Sequence, residues 1–173
     1  KTVLQFIFDD LEKTDYRFII ATGAHRAPSE EEFIQIFGDF YDQVKPRIIV
    51  HDARAEADMV FLGDSSNGTP MYVNKAYTDT DRIIIISSVE PHYFAGYTGG
   101  RKSFLPGIAG YKTIEENHTL ALVPEAKALA LSGNPVHEDM IDAIKTVKQP
   151  IFSIMTVLDK HHQVYATCCG HIR

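Results

Sequence analysis

The sequence predicts a layered α/β fold, with a central, mainly parallel or mixed sheet flanked by helices. Three observations predict it. Short β-branched runs alternate with segments whose apolar residues recur at helical spacing. Helix-start signals stand between them: Ser29 with Glu32 spells a capping box, and Asn134-Pro135 sets a cap before a first-turn proline. Finally, Arg82 to Ser88, with four consecutive isoleucines, reads as a strand buried on both faces. No repeat, low-complexity tract or linker divides the chain, so residues 1–173 read as a single α/β domain.

Taken in order, Val3, Leu4, Phe6, Ile7 and Leu11 predict an amphipathic helix from Thr2 to Lys13, with Thr2 as its cap. Tyr16 to Thr22 is a short strand, ended by a turn in which Gly23 allows tight backbone and Pro28 discourages helix. The capped helix from Glu30 to about Phe40 follows, with Phe33, Ile36 and Phe37 on one face. Arg47 to His51, Met59 to Leu62 and Met71 to Val73 read as strands, and residues 64–70 as a loop. After the isoleucine strand comes Glu90-Pro91-His92-Tyr93-Phe94-Ala95-Gly96-Tyr97-Thr98-Gly99-Gly100-Arg101-Lys102-Ser103, a glycine-rich turn. Lys112 to Leu122 is predicted helical, as is the segment after Pro135, whose Met140, Ile141, Ile144 and Val147 share a face. Ile151 to Leu158 and Gln163 to Cys168 read as a hairpin around Asp159 to His162.

Composition excludes several classes. With 45% hydrophobic and 23% charged residues the chain reads as globular rather than disordered. A net charge of -6 without a basic stripe argues against a nucleic-acid partner. No apolar run approaches the ~18 residues of a membrane span, so no membrane role is expected. The two cysteines, Cys168 and Cys169, are adjacent and staple nothing distant, which fits a reducing, cytoplasmic setting. The chain opens at Lys1 without an initiator Met and stops just after a strand-like segment, as expected of a fragment.

The chemistry-bearing residues gather at post-strand turns. His25 and His92 each follow a predicted strand, bracketed by glycine and arginine; were those strands neighbours, both rings would face one pocket and could move protons on opposite sides of a substrate. Successive N–H groups around Gly99, Gly100 and Arg101 can cradle an anion, with Lys102 as a point charge. This leaves open a non-catalytic nucleotide- or phosphate-binding module at the Gly99 to Lys102 turn. Gly96 to Ser103 nearly spells a nucleotide-hydrolase phosphate loop but has Arg101 where the second glycine belongs. His118 lacks partners at zinc-like spacing, so a protein-only zinc site is not expected; a metal held mainly by an organic cofactor would need only one such imidazole. His51, His137, His161, His162 and His171 read as structural or surface residues.

The segments Ala21 to Ser29 and Glu90 to Ala109, together with Asn117-His118, closely resemble the nickel-dependent lactate racemase family in order and spacing. The resemblance implies a nickel pincer nucleotide: pyridinium-3-thioamide-5-thiocarboxylic acid mononucleotide, holding nickel through two sulfurs and a ring carbon. By the same resemblance Lys102 forms the covalent tether, His118 supplies a nickel ligand, His25 and His92 are the acid/base pair, and Gly99, Gly100 and Arg101 help hold the cofactor. The implied activity is racemisation of a small 2-hydroxy acid by proton-coupled hydride transfer. Family members also carry an upstream Asp-His-Thr-Arg-like loop and a second domain, neither matched here, so the chain is expected to be part of the cofactor-binding N-terminal half of a two-domain enzyme.

Overall fold

A computed structural model describes residues 3–11 and 13–172. The Thr2 cap falls outside them. In the N-terminal part, helix α1 (Leu4–Leu11), strand β1 (Phe18–Ile20), helices α2 (Glu30–Phe37) and α3 (Tyr41–Val44) and strand β2 (Ile48–Val50) form a small unit with β1 parallel to β2. Its core is Leu4, Phe8, Phe37, Tyr41 and Val44, packed with Phe18, Ile20 and Ile48. The capping box is formed: Ser29 Oγ accepts from Glu32 N at 3.3 Å, and Glu32 accepts from Ser29 N at 2.7 Å. These bonds satisfy two helix-end donors that would otherwise lack partners.

The remaining strands are β3 (Met59–Asp64), antiparallel to β4 (Pro70–Asn74), then β5 (Ile83–Ser88), β6 (Pro91–His92), β7 (Gly96–Tyr97), β8 (Ile151–Leu158) and β9 (Val164–Gly170). β5 runs parallel to β8, and β8 antiparallel to β9, giving a mixed three-stranded sheet. Helices α4 (Tyr111–Thr119) and α5 (Pro135–Ile144) complete the larger unit. Asn134 caps α5 as the sequence predicts, its Oδ1 accepting from Val136 N and His137 N. Met140, Ala143 and Ile144 of α5 are buried with Ile85 and Ile151 of the sheet. Fully burying an Ile or Met side chain is worth about 1.5–3 kcal/mol, so this face anchors the sheet.

Two expectations change here. Ile84 is 48% and Ile86 42% exposed, and their neighbour Phe152 is 48% exposed, so β5 is covered on one face only among the described residues. The isoleucine run reports strand propensity, whereas two-sided burial needs a second layer over the sheet. In addition, β1 and β5 lie in different sheets, so the His25 and His92 turns are not carried on neighbouring strands.

Backbone and buried side chains join the two units instead. Gly23 N donates to Gly107 O at 2.8 Å, while within the smaller unit Thr22 Oγ1 donates to His51 O at 2.7 Å and holds that residue at the seam. His51, 2% exposed, sits 2.9 Å through Nε2 from Ala109 O and 3.3 Å through Nδ1 from Asn74 Nδ2. A carbonyl can only accept and an amide nitrogen only donate, so this ring bridges as the neutral Nε2–H form; burial pushes it below its usual range.

Candidate active site

The site is built on the segment after β5, where the chain folds into the two-residue strands β6 and β7. Thr98 closes the neck of this hairpin: its Oγ1 donates to Ser88 O at 3.0 Å and accepts from Glu90 N at 2.8 Å. Beneath it lies Arg101, 7% exposed, whose Nη2 donates to Ala95 O at 2.8 Å and Tyr97 O at 2.9 Å. Burial brings this guanidinium down to about 10, still protonated at neutral pH. Asn134 Nδ2 donates to Phe94 O at 2.8 Å from the other side. At Gly96, φ is +79° and a Cβ would strike the Ala130 carbonyl, so only glycine lets the hairpin seat there.

The frame brings three of the predicted residues together. Lys102, on a 3-10 turn spanning Gly100–Ser103, places its Nζ 3.4 Å from His92 Nε2 and 5.8 Å from the Phe94 ring centroid. Phe94 meets His92 edge-on at 4.7 Å and His118, in the last turn of α4, at 4.9 Å between ring centroids. One aromatic ring therefore separates and positions two imidazoles and an amine. Tyr93, 78% exposed, stacks on His92 at 4.8 Å.

The electrostatics follow from crowding basic groups without a carboxylate. His92 is held down to about 4 by burial first, then by Lys102, His118 and Arg101. Lys102 falls to about 8 through burial and the neighbouring Arg101. His118 is lowered by burial and by Lys102; the Ile114 carbonyl opposes this, without meeting hydrogen-bond geometry, and His118 Nδ1 is buried with no partner. At neutral pH the pocket thus offers two neutral imidazoles and an amine that ionises near neutrality.

His25 lies elsewhere. It is exposed on the turn after β1, in an open depression lined by Arg26, Pro28, Glu32, Gln35 and Ile36, and neither a hydrogen bond nor a ring contact joins it to His92, Lys102 or His118. Its turn is nonetheless tied to the site backbone: Gly23 N bonds Gly107 O, and Gly107 N bonds Lys102 O, each at 2.8 Å. Gly99 and Gly100 are required by packing. Their φ values are +85° and +47°, and a Cβ on Gly99 would lie 2.6 Å from Met155 Cε and 3.1 Å from Ser88 O. The N–H of Gly100 is directed to Ser87 Oγ and that of Lys102 to Gly99 O, so these two donors point inward.

Several contributors were not singled out from sequence. Phe94 is the hub of the cluster. Asp139 on α5 is fully buried, and its carboxylate accepts from Ser65 Oγ at 2.5 Å, Thr69 Oγ1 at 2.9 Å and Asn117 Nδ2 at 2.7 Å. Asn117 precedes His118, so this knot fixes the end of α4 that presents the imidazole. His137, expected to be structural or on the surface, is half-buried and held at about 4 by burial and Arg101. The only signal for these roles was position: an aromatic inside a glycine-rich turn, and a polar residue beside a singled-out histidine.

Among the described residues no group of three or more His, Cys, Asp or Glu is placed to hold a metal ion. No helix among them is long and apolar enough to cross a membrane.

Comparison with known proteins bears on this geometry. A family model described as "Lactate racemase N-terminal domain" matches residues 1–130. A lactate racemase of Thermoanaerobacterium thermosaccharolyticum is 34% identical over 99% of this chain, which spans 41% of that protein. One from Lactiplantibacillus plantarum is 37% identical over 89% of the chain and 36% of the relative. The chain thus spans about two-fifths of the length of these relatives. Among solved structures, the T. thermosaccharolyticum lactate racemase apoprotein superposes with a TM-score of 0.89 at 34% identity, over 98% of this chain and 42% of that one. A Thermotoga maritima protein, at 22% identity and a TM-score of 0.78 over 96% of this chain and 45% of that one, shares the fold.

Proposed function

Because the chain belongs to the lactate racemase N-terminal domain family, we propose that it is the cofactor-bearing part of a nickel-dependent 2-hydroxyacid racemase, completed by a second domain of a longer protein. The observation that carries this reading is the gathering of Lys102, His92 and His118 around Phe94.

The residues present fit a nickel pincer nucleotide. His118 has a buried ring nitrogen without a partner, as a metal ligand needs, and neutral imidazole suits nickel. Lys102 is the amine for covalent attachment, drawn toward its free form by its surroundings. When bound, the cofactor would supply the acceptor that takes hydride from the carbinol carbon and returns it to either face of the transient 2-keto acid. The chain's own part is proton handling. His92, neutral and beside the attachment point, exchanges the hydroxyl proton on one side, and His25, on its exposed turn, is assigned the other. Two groups are needed because the enantiomers present their hydroxyls differently. Gly99, Gly100 and Arg101 contribute by fixing the backbone that carries Lys102.

A reversible phosphate-binding module at the Gly99 to Lys102 turn draws less support, since two of its backbone donors are already committed inward. The test uses the longer protein loaded with cofactor and enantiopure 2-deuterated lactate. Interconversion should retain deuterium at the carbinol carbon and disappear in Lys102→Ala and His118→Ala. Complete washout of deuterium, or no interconversion of lactate or other small 2-hydroxy acids, would overturn the reading.

A further inference from the structure

We propose that His92, locked as its Nε2–H tautomer, donates a hydrogen bond to the free-amine form of Lys102 and thereby raises the share of that side chain ready to be acylated. Ala95 N–H lies 3.2 Å from His92 Nδ1. An amide N–H only donates, so Nδ1 must carry a lone pair, and the single proton of a neutral imidazole is then on Nε2. That atom faces Lys102 Nζ at 3.4 Å. An ammonium has three donors and no acceptor, so it would set N–H against N–H; only the free amine offers the lone pair this contact requires. The reverse arrangement, with Lys102 donating to a bare Nε2, would move the imidazole proton to Nδ1 and against Ala95 N–H. A doubly protonated ring meets the same obstacle and adds a second cation.

The surroundings agree. The charged and titratable groups around Lys102 are Arg101 on its own turn, His92 on the hairpin and His118 on α4, with the Phe94 ring beside them. None is an acid. By contrast Lys13, Lys45, Lys75 and Lys145 each pair with a carboxylate, which holds them as ammonium ions. Lys102 therefore stands apart from them: with its midpoint lowered to about 8, roughly a tenth of it is a nucleophilic free amine at pH 7. In acylation the Nζ–carbon bond forms and the bond from carbon to the leaving group breaks. The leaving group departs with that electron pair, and Nζ releases its extra proton to water.

This inference deepens the reading of Lys102 as the attachment point and rests on it for its biological use, but its test uses the longer protein made without cofactor and so does not depend on loading. Long-range proton–nitrogen NMR correlations of His92 near pH 9, above the Lys102 midpoint, should show Nε2 protonated and Nδ1 bare. The rate of Lys102 acetylation by acetic anhydride, followed against pH by peptide mass spectrometry with Lys75 and Lys145 as internal references, should have its midpoint near 8. In His92→Phe that midpoint should rise by about 0.7 of a pH unit, leaving roughly fivefold less free amine at pH 7, the worth of one hydrogen bond. His92→Gln, which keeps a donor, should stay close to wild type. An Nδ1-protonated ring in the wild-type chain, or a midpoint that does not move in His92→Phe, would overturn the proposal. Loss of racemase activity with these results intact would instead count against the function above.

Discussion

Replacing Asp139 by Asn should destabilise the chain by about 2–4 kcal/mol. The side chain is fully buried, and both of its oxygens accept: Oδ1 from Ser65 at 2.5 Å and Asn67 Nδ2 at 3.4 Å, Oδ2 from Thr69 at 2.9 Å and from Asn117 at 2.7 Å. Asparagine keeps the shape but turns one acceptor into an NH2 group. If Oδ2 is lost, the Asn117 amide faces another donor and has no remedy; if Oδ1 is lost, the short Ser65 contact must reverse. Either way about one hydrogen bond to a charged group disappears, worth roughly 1.5–3 kcal/mol, and a donor left facing a donor adds about 1 kcal/mol, which together give the range above. For a domain of this size each kcal/mol lowers the melting temperature by about 2–4 °C, so a fall of roughly 5–15 °C is expected by calorimetry. The same knot positions Asn117 beside His118, so nickel retention by the loaded protein should weaken even well below the new melting temperature. A melting temperature within about 1 °C of wild type would refute the view that this carboxylate ties α4, α5 and residues 65–69 together.

Arg101→Met should cost about 2–4 kcal/mol, because the Ala95 and Tyr97 carbonyls lose their partner; chemical denaturation measures it, and full stability with lost cofactor loading would return Arg101 to the role of a ligand contact. Gly99→Ala should destabilise by roughly 2–3 kcal/mol, combining a left-handed φ for a side-chain residue with the clash against Met155 and Ser88; a lowered denaturant midpoint at unchanged slope is the check. Stability should fall as pH drops from about 6.5 toward 4, because His92 and His137 are held at about 4 in the folded chain while the unfolded chain takes up those protons near the ordinary 6.5. Thermal melts across that window should flatten in a His92→Phe, His137→Phe double variant.

Local chemistry was legible in the sequence and long-range pairing was not. Ser29 with Glu32 and Asn134 with Pro135 state their helix starts within four residues, and both caps form as read. The glycine-rich segment stands out by composition, yet its two-residue strands are too short to leave a period, so the hairpin is not legible. Arg101 is expected from the resemblance to help hold a cofactor; that its guanidinium also donates to the Ala95 and Tyr97 carbonyls of the preceding hairpin is long-range information the sequence does not carry. Asp139 reads as an ordinary polar helix residue, since Ser65 and Thr69, which bury and satisfy it, lie about seventy positions away. The Arg82 to Ser88 run gave the strand but not its cover, because covering depends on what packs over each face. Which strands pair is likewise not local information, and that is why His25 and His92 arrive from different sheets.

The central claim is that Lys102, beside His92 and His118, is the point of covalent attachment in a nickel-dependent racemase. It is tested most directly by intact-mass and peptide mass spectrometry of the longer protein made together with the enzymes that synthesise the cofactor. One added mass is expected, mapped to the peptide containing Lys102 and absent in Lys102→Ala. An unchanged mass, or an adduct on any other lysine, would contradict it.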